Sequence, residues 1–185
     1  MSVSERVALD ARALGIAAFV LAVEWARALA ERNQPVPVLI VGGMALCLPA
    51  LGFRAEQLGL SGQALLLRLV GGVAIAAVLL LPTALRGGGG AAASTGFAAA
   101  AAIAVSVGEE LAFRGALYAA LDTAWGPAAA VFGSAAAFTA AHAVSHPLPE
   151  LLPLAAAGIL LGAWRWAFND LVAPILGHVL TDLAL

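Results

Sequence analysis

Long apolar runs, each closed by proline, glycine or a cluster of charge, set the pattern of this chain. A bilayer core takes about 20 apolar residues per helix. Runs at 11–30, 38–51, 63–85, 95–121, 128–146, 151–168 and 173–185 are the candidate spans. Asn33-Gln34-Pro35-Val36-Pro37 separates the first two as a turn, because two prolines do not fit a helix interior. Residues 52–62, with Arg54, Glu56 and Gln57, form a polar connection. Four glycines at 87–90 lack helix propensity and predict a flexible linker between two halves. Trp125-Gly126-Pro127 is a turn with an interfacial aromatic, and Pro147 and Pro149 end the fifth run. Trp164-Arg165-Trp166-Ala167-Phe168 has the make-up of an aromatic belt with a snorkelling arginine, followed by a short Asn169-Asp170 turn. The last run is short for a full span. The expected fold is all-α: a polytopic membrane helical bundle of about seven (six to eight) transmembrane segments. Residues 1–90 supply about three of them and 91–185 the remainder, together forming one integrated membrane domain.

Composition hardens this expectation. The chain is 63% hydrophobic and 11% charged, against about 25% charged in an ordinary soluble domain. Its mean hydropathy is +0.99, which excludes a soluble globular fold. Net charge is −2 and no basic tract occurs, so nucleic-acid binding is unsupported. Every basic residue is arginine. Arg6, Arg12, Arg54 and Arg165 fall on one side of an alternating topology and Arg27, Arg32 and Arg86 on the other, a balance too even to set orientation. The lone Cys47 excludes an intrachain disulfide and reads as a small buried hydrophobe. The N-terminus has a short apolar core and a cleavage-like Ala28-Leu29-Ala30. Glu5 and Asp10 interrupt any positive leader, and a first membrane helix is the expectation.

Against this background Glu109-Glu110-Leu111-Ala112-Phe113-Arg114 stands out. Each charge costs roughly 2.5–3.5 kcal/mol at the centre of a membrane helix, and such clusters mark function. At 100° per residue, Glu110 and Arg114 lie about 40° apart and can pair, with Glu N-terminal to Arg, the favoured order. Glu109 lies about 140° from Arg114. One carboxylate is then neutralised and the other is available, in a desolvated setting suited to a general base. The competing reading is a solvated helix end.

The three histidines, His142, His146 and His178, all lie in the C-terminal half. His142 follows Phe138 by one helical turn on the same face. His146, just before Pro147, belongs at the helix end. A zincin pattern would need Glu at 143, where Ala143 stands. His178 and Asp182 are four apart, so Asp182 either fixes the His178 tautomer or faces the cavity separately. A Glu, two His and an Asp on three apolar segments need partners. Converging on a water-accessible cavity, they have the parts of a hydrolytic site. Ser134, in Phe132-Gly133-Ser134-Ala135, fits helix packing better than nucleophilic catalysis. Ser106 fits packing or backbone bonding, and Glu24, beside Trp25 and Arg27, fits an interfacial helix end.

Glu109-Glu110-x-x-x-Arg114, Phe138-x-x-x-His142 and His178-x-x-x-Asp182, in this order, resemble the three motifs of the CPBP (ABI) family, the CAAX proteases and bacteriocin-processing enzymes. The resemblance covers about 95–185, making 91–185 a CPBP-like catalytic core. It implies an intramembrane endopeptidase in which Glu109 activates water with His142. His178 and Asp182 would stabilise the oxyanion or order the site, with Glu110, Arg114 and Phe138 supporting. The family's third motif commonly ends in Asn, and an aspartic acid donates a hydrogen bond only when protonated. No cofactor is firmly implied. A zinc site of Glu109, His142 and His178 is the alternative, in which Glu109 would no longer be a free base.

The expected partners are the lipid bilayer and a membrane-anchored peptide or protein substrate. A bacteriocin-type precursor or a C-terminal sorting tail is expected rather than a prenylated protein. Arginine without lysine, with abundant Ala and Gly, points to a GC-rich bacterium and its inner membrane. Two other classes compete: a non-catalytic immunity or scaffold protein or small transporter using the same polar cluster, and a metal transporter using His142, His146 and His178.

Overall fold

The computed structural model describes residues 2–30, 35–62, 64–85, 87 and 96–185, with Pro35 by its backbone alone. The Asn33-Gln34 part of the expected turn, Arg32, Arg86 and three of the four linker glycines lie outside the described residues. The described residues form helices joined by short turns, without a strand. In chain order they form α1 (Val3–Ala30), α2 (Pro35–Leu46), a 3₁₀ turn (Leu48–Gly52), α3 (Ala55–Leu58), α4 (Leu65–Leu85) and α5 (Phe97–Glu110). A π-helical segment (Leu111–Leu117) follows, then α6 (Tyr118–Trp125), α7 (Pro127–His142), α8 (Leu148–Phe168) and α9 (Val172–Ala184).

α1, α4 and α8 are long and apolar enough to cross a membrane, and Val36–Gly52 and Val172–Ala184 are shorter apolar helices. Their outward faces carry exposed Leu14, Phe19, Leu66, Val73, Leu81, Leu152 and Ile159. In water these would be a liability; in lipid they are the solvated surface. The chain is an all-helical membrane bundle.

Proline placement follows the backbone rules, though not as expected at 35–37. Pro35 and Pro37 sit in the first turn of α2, where no intrahelical N–H is needed, so they start a helix instead of forming a separate turn. Pro147 caps α8 in extended conformation, so α8 begins at Leu148, ahead of the expected 151. α7 ends at His142, leaving His146 in the following turn with its N–H 2.9 Å from the His142 carbonyl.

α4 packs along α9, α2 along α5, and α7 between α6 and α8, while α1 crosses α2, α6 and α7. Small residues set the close crossings. A Cβ on Gly108 of α5 would collide with the Gly43 backbone of α2, and one on Gly43 with the Ala104 backbone. Gly71 and Gly72 of α4 admit Trp164 and Leu176, and Gly177 of α9 admits Ile75. α1 is tied down by Trp25 Nε1 to the Ala140 carbonyl (3.0 Å), by Trp125 Nε1 to Asp10 Oδ1 (2.8 Å), and by Arg6 to the Ala124 carbonyl.

Two C-terminal features depart from the sequence reading. Arg165 does not snorkel. It is buried, donates to the Gln57 carbonyl (2.8 Å) and to Asn169, and lies 5.0 Å from the Tyr118 ring. Asp170 is more than a turn residue. It is fully buried and accepts from Arg68 Nε (3.2 Å), Trp164 Nε1 (3.3 Å) and the Val172 and Ala173 amides at the start of α9. Asn169 makes the preceding reversal in the left-handed region (φ 46°), which Asn tolerates.

Candidate active site

The carboxylate pair stands where α5 gives way to the π-helical segment. π segments are rare and recur at functional sites. Up to Glu110 the α-helical wheel holds, and through Leu117 the turn is wider. The whole stretch from Ala112 to Leu117 is buried, including Arg114 at 0% exposure.

The ion pair predicted from spacing is formed. Arg114 Nη1 donates to Glu110 Oε1 at 2.8 Å. The guanidinium also lies 4.2 Å from the centroid of the Phe138 ring, within cation–π range. The same Glu110 oxygen lies 2.9 Å from His178 Nδ1. A carboxylate only accepts, so His178 carries a hydrogen on Nδ1 and turns Nε2 toward Glu109 and Asp182. Those distances are 3.9 Å to Glu109 Oε2 and 3.5 Å to Asp182 Oδ2. Asp182 Oδ2 is in turn 2.7 Å from Ser106 Oγ, which also lies 2.8 Å from the Ala102 carbonyl.

Phe138 joins the second motif to the other two. Its ring centroid is 4.4 Å from that of His142 and 6.2 Å from that of His178, and it meets Phe113 edge-on at 5.3 Å. His142 Nδ1 is 2.8 Å from the Phe138 carbonyl oxygen. That carbonyl can only accept, so Nδ1 holds a hydrogen, and in the neutral ring Nε2 keeps its lone pair. His146 stacks 5.3 Å from His142 and meets Ser145 Oγ at 2.9 Å, away from the carboxylates. Glu109, Glu110, Arg114, His178 and Asp182 are thus drawn into one polar cluster with Ser106. His142 borders it through Phe138.

Two residues join this cluster that the sequence reading had set apart. Glu24, expected at an interfacial helix end, is 1% exposed. Its Oε2 accepts from Arg27 Nε (3.2 Å) and Nη2 (2.5 Å), and Arg27 Nη2 reaches Glu109 Oε1 at 3.2 Å. Glu109 therefore does not face the cavity alone. Glu24 lies within electrostatic reach of both Glu109 and His142. The signal was present in the sequence as Glu24-x-x-Arg27 inside an apolar helix.

Ser134 is buried and bonds its own helix at the Val131 carbonyl (3.3 Å), as expected of a packing serine. Cys47 is half-buried with its Sγ 3.4 Å from the Gly43 carbonyl. Among the described residues no group of three or more His, Cys, Asp or Glu side chains is placed to hold a metal ion. The alternative ligand set of Glu109, His142 and His178 is not gathered as such a group.

No curated protein and no solved structure matches the chain. A family model described as type II CAAX prenyl endopeptidase Rce1-like matches residues 91–184, the stretch that carries all three motifs. That match spans half of the sequence, and the chain belongs to the Rce1-like family of type II CAAX prenyl endopeptidases.

Proposed function

We propose that this protein is an intramembrane endopeptidase in which Glu109 takes a proton from the attacking water. Membership in an endopeptidase family supports protease activity. The observation that carries the finer reading is the split between neighbouring carboxylates. Glu110 is engaged by Arg114 and His178 on one oxygen, while Glu109 presents Oε2 toward His178 Nε2 at 3.9 Å. At 3.9 Å the two atoms are too far apart for a direct hydrogen bond, and a water beside them can bridge both.

Water held there loses a proton to Glu109 as its oxygen attacks the scissile carbonyl carbon. The carbonyl oxygen becomes the oxyanion of the tetrahedral intermediate. His178, when it carries a second hydrogen on Nε2 besides the one it gives Glu110, and Asp182, when protonated, are the donors available to that oxyanion. The intermediate then collapses, breaking the C–N bond. Glu109 returns its proton to the leaving amine, as microscopic reversibility asks of one acid/base group. His142, with a lone pair on Nε2, assists in ordering the water. Glu110, Arg114 and Phe138 hold His178 and the π segment in place.

The substrate is a membrane-associated peptide or protein tail, a bacteriocin-type precursor or C-terminal sorting signal, cleaved in a bacterial inner membrane. The apolar surface keeps the site inside the bilayer, so only chains already at the membrane reach it. Co-expression with a candidate tail-bearing substrate tests this reading. Glu109→Ala and His142→Ala are expected to abolish processing at unchanged protein level. Full processing by both variants overturns it.

A further inference from the structure

The family match begins at residue 91, yet Glu109 is paired with a cation from α1, outside it. We infer that Arg27 is a positioning residue for Glu109, itself clamped by Glu24, so that the first helix completes the catalytic centre. This rests on the reading of Glu109 as the general base.

The geometry divides the work between the two α1 side chains. Glu24 Oε2 takes two donors from Arg27, Nε at 3.2 Å and Nη2 at 2.5 Å, and so fixes the plane of the guanidinium. Nη2 carries two hydrogens. With one on Glu24, the other is aimed at Glu109 Oε1, 3.2 Å away. Glu109 Oε2 is left toward His178. Arg27 thus selects which carboxylate oxygen is held and which stays free to take a proton.

A third helix seats the guanidinium. A Cβ at Gly42 of α2 would stand 2.8 Å from Arg27 Cδ and 3.1 Å from Cγ, so glycine there makes room for the arginine stem. Gly43, its neighbour, receives the backbone of α5 just ahead of Glu109. The Gly42-Gly43 pair therefore sets Arg27 and Glu109 against one another. Packing alone does not account for the arrangement. A buried ion group is commonly matched or bettered by apolar residues of similar volume, and here, among the described residues, Glu24 and Glu109 both draw on the Arg27 guanidinium. Glu24 Oε1 is buried without a hydrogen-bond partner among the described residues. The guanidinium also borders an otherwise apolar cleft of about 450 Å³ between α1 and α2, lined by Val23, Val38, Val41 and Ala45.

The test compares Arg27→Gln, Arg27→Lys, Glu24→Gln and Gly42→Ala in the full chain, purified in detergent and checked for wild-type melting. Arg27→Gln is expected to lower kcat about 10–100-fold with KM within about twofold, the pattern of a misplaced catalytic group. Arg27→Lys, which keeps a cation able to reach both carboxylates, restores a large part of the loss. Gly42→Ala displaces Arg27 without removing a charge and gives a smaller loss in kcat. It also keeps the question open to test should Arg27→Gln fail to fold. An apolar carbodiimide, which reacts with carboxyl groups that are not held in an ion pair, supplies a readout apart from activity. Labelling of Glu109, located by mass spectrometry, rises in Arg27→Gln and Gly42→Ala and stays low in Arg27→Lys. Wild-type kcat and wild-type labelling in both Arg27→Gln and Gly42→Ala overturn the inference, as does a loss confined to KM. If the wild type cleaves no substrate but the labelling changes as stated, the endopeptidase reading fails and the role of Arg27 stands.

Discussion

His178 Nδ1 meets Glu110 on Oε1 at 2.9 Å, the same oxygen that takes Arg114 Nη1 at 2.8 Å, so one carboxylate oxygen ties α9 to the π segment. Replacing Glu110 by Gln leaves a fully buried guanidinium without its counter-charge. Breaking a buried pair in this way costs about 3–5 kcal/mol. Glu110→Gln is therefore expected to lower the melting temperature clearly and to reduce cleavage, because a neutral amide oxygen holds Arg114 and His178 more weakly than the carboxylate does. Thermal unfolding in detergent measures the first effect and a processing assay the second.

Glu109→Gln separates chemistry from stability. Arg27 keeps Glu24 as its partner at 2.5 Å, so no cation is stranded. The melting temperature should stay close to wild type. Cleavage should fall by about 10²–10⁴-fold, the usual contribution of a general base. The contrast between the two neighbouring variants is the measurement: activity lost with stability kept at 109, both lost at 110.

These adjacent carboxylates also mark how far the sequence carries. The Glu110–Arg114 pair was legible because i,i+4 geometry is local. Helix positions were legible because apolar run length and Pro/Gly punctuation are local. The π turn was not, since Leu111–Leu117 has no residue that distinguishes i→i+5 from i→i+4 bonding. Arg27 and Glu24 were misplaced because their partner lies across a helix crossing, 82 positions away in sequence. The close approach at Gly42-Gly43 and Gly108 brings α1, α2 and α5 within reach of one another. The insertion-cost argument that singled out Glu109 applies equally to Glu24-x-x-Arg27, and that signal outweighs a position near a helix end. Asp170 was hidden for the same reason, since its donors come from α4, α8 and α9.

Asp182 offers a sharper test of the oxyanion role. Its Oδ2 sits 2.7 Å from Ser106 Oγ, while that hydroxyl also has the Ala102 carbonyl at 2.8 Å. The one hydroxyl hydrogen goes to one of these acceptors; given to Asp182, it leaves a protonated Asp182 its own hydrogen for the oxyanion. An asparagine amide supplies the same donor without a proton. Asp182→Asn is expected to keep activity within about tenfold of wild type, whereas Asp182→Leu loses a polar donor and falls further, by about 10²–10³-fold, the scale of a lost oxyanion-hole donor. Steady-state cleavage by the two variants decides it. Equal activity in both rules out a donor role at 182.

Gly108 tests the helix crossing beneath the site. A Cβ there would collide with the Gly43 carbonyl, a backbone atom that cannot rotate aside. Gly108→Ala must push α5 away from α2 and carry Glu109 with it. Misplacement by about 1 Å can cost 10²-fold in rate. The expected result is loss of cleavage with a lowered melting temperature. Gly133→Ala is the control. Its new Cβ would first meet a Leu121 methyl at 3.0 Å, the far end of a flexible side chain. Near-normal folding and cleavage are expected there.

Asp170 should govern stability alone. It is fully buried and accepts from Arg68, Trp164 and two amides of the first turn of α9. Asp170→Ala removes an N-terminal capping acceptor, worth about 0.5–2 kcal/mol, and leaves the Arg68 guanidinium with the Leu60 carbonyl (3.0 Å) as its remaining acceptor among the described residues. Loss of one partner of a buried pair adds about 3–5 kcal/mol where the charge stays enclosed, and less here because Arg68 is only half-buried. His178 lies further along α9, past the turn that Asp170 caps. Folded protein should therefore cleave with a wild-type kcat while its melting temperature drops. The measurement is kcat per folded molecule, normalised by the monodisperse fraction after size exclusion. A fall in kcat at full folding would mean that the α9 N-terminus transmits strain to His178, and would place Asp170 with the residues that position the site.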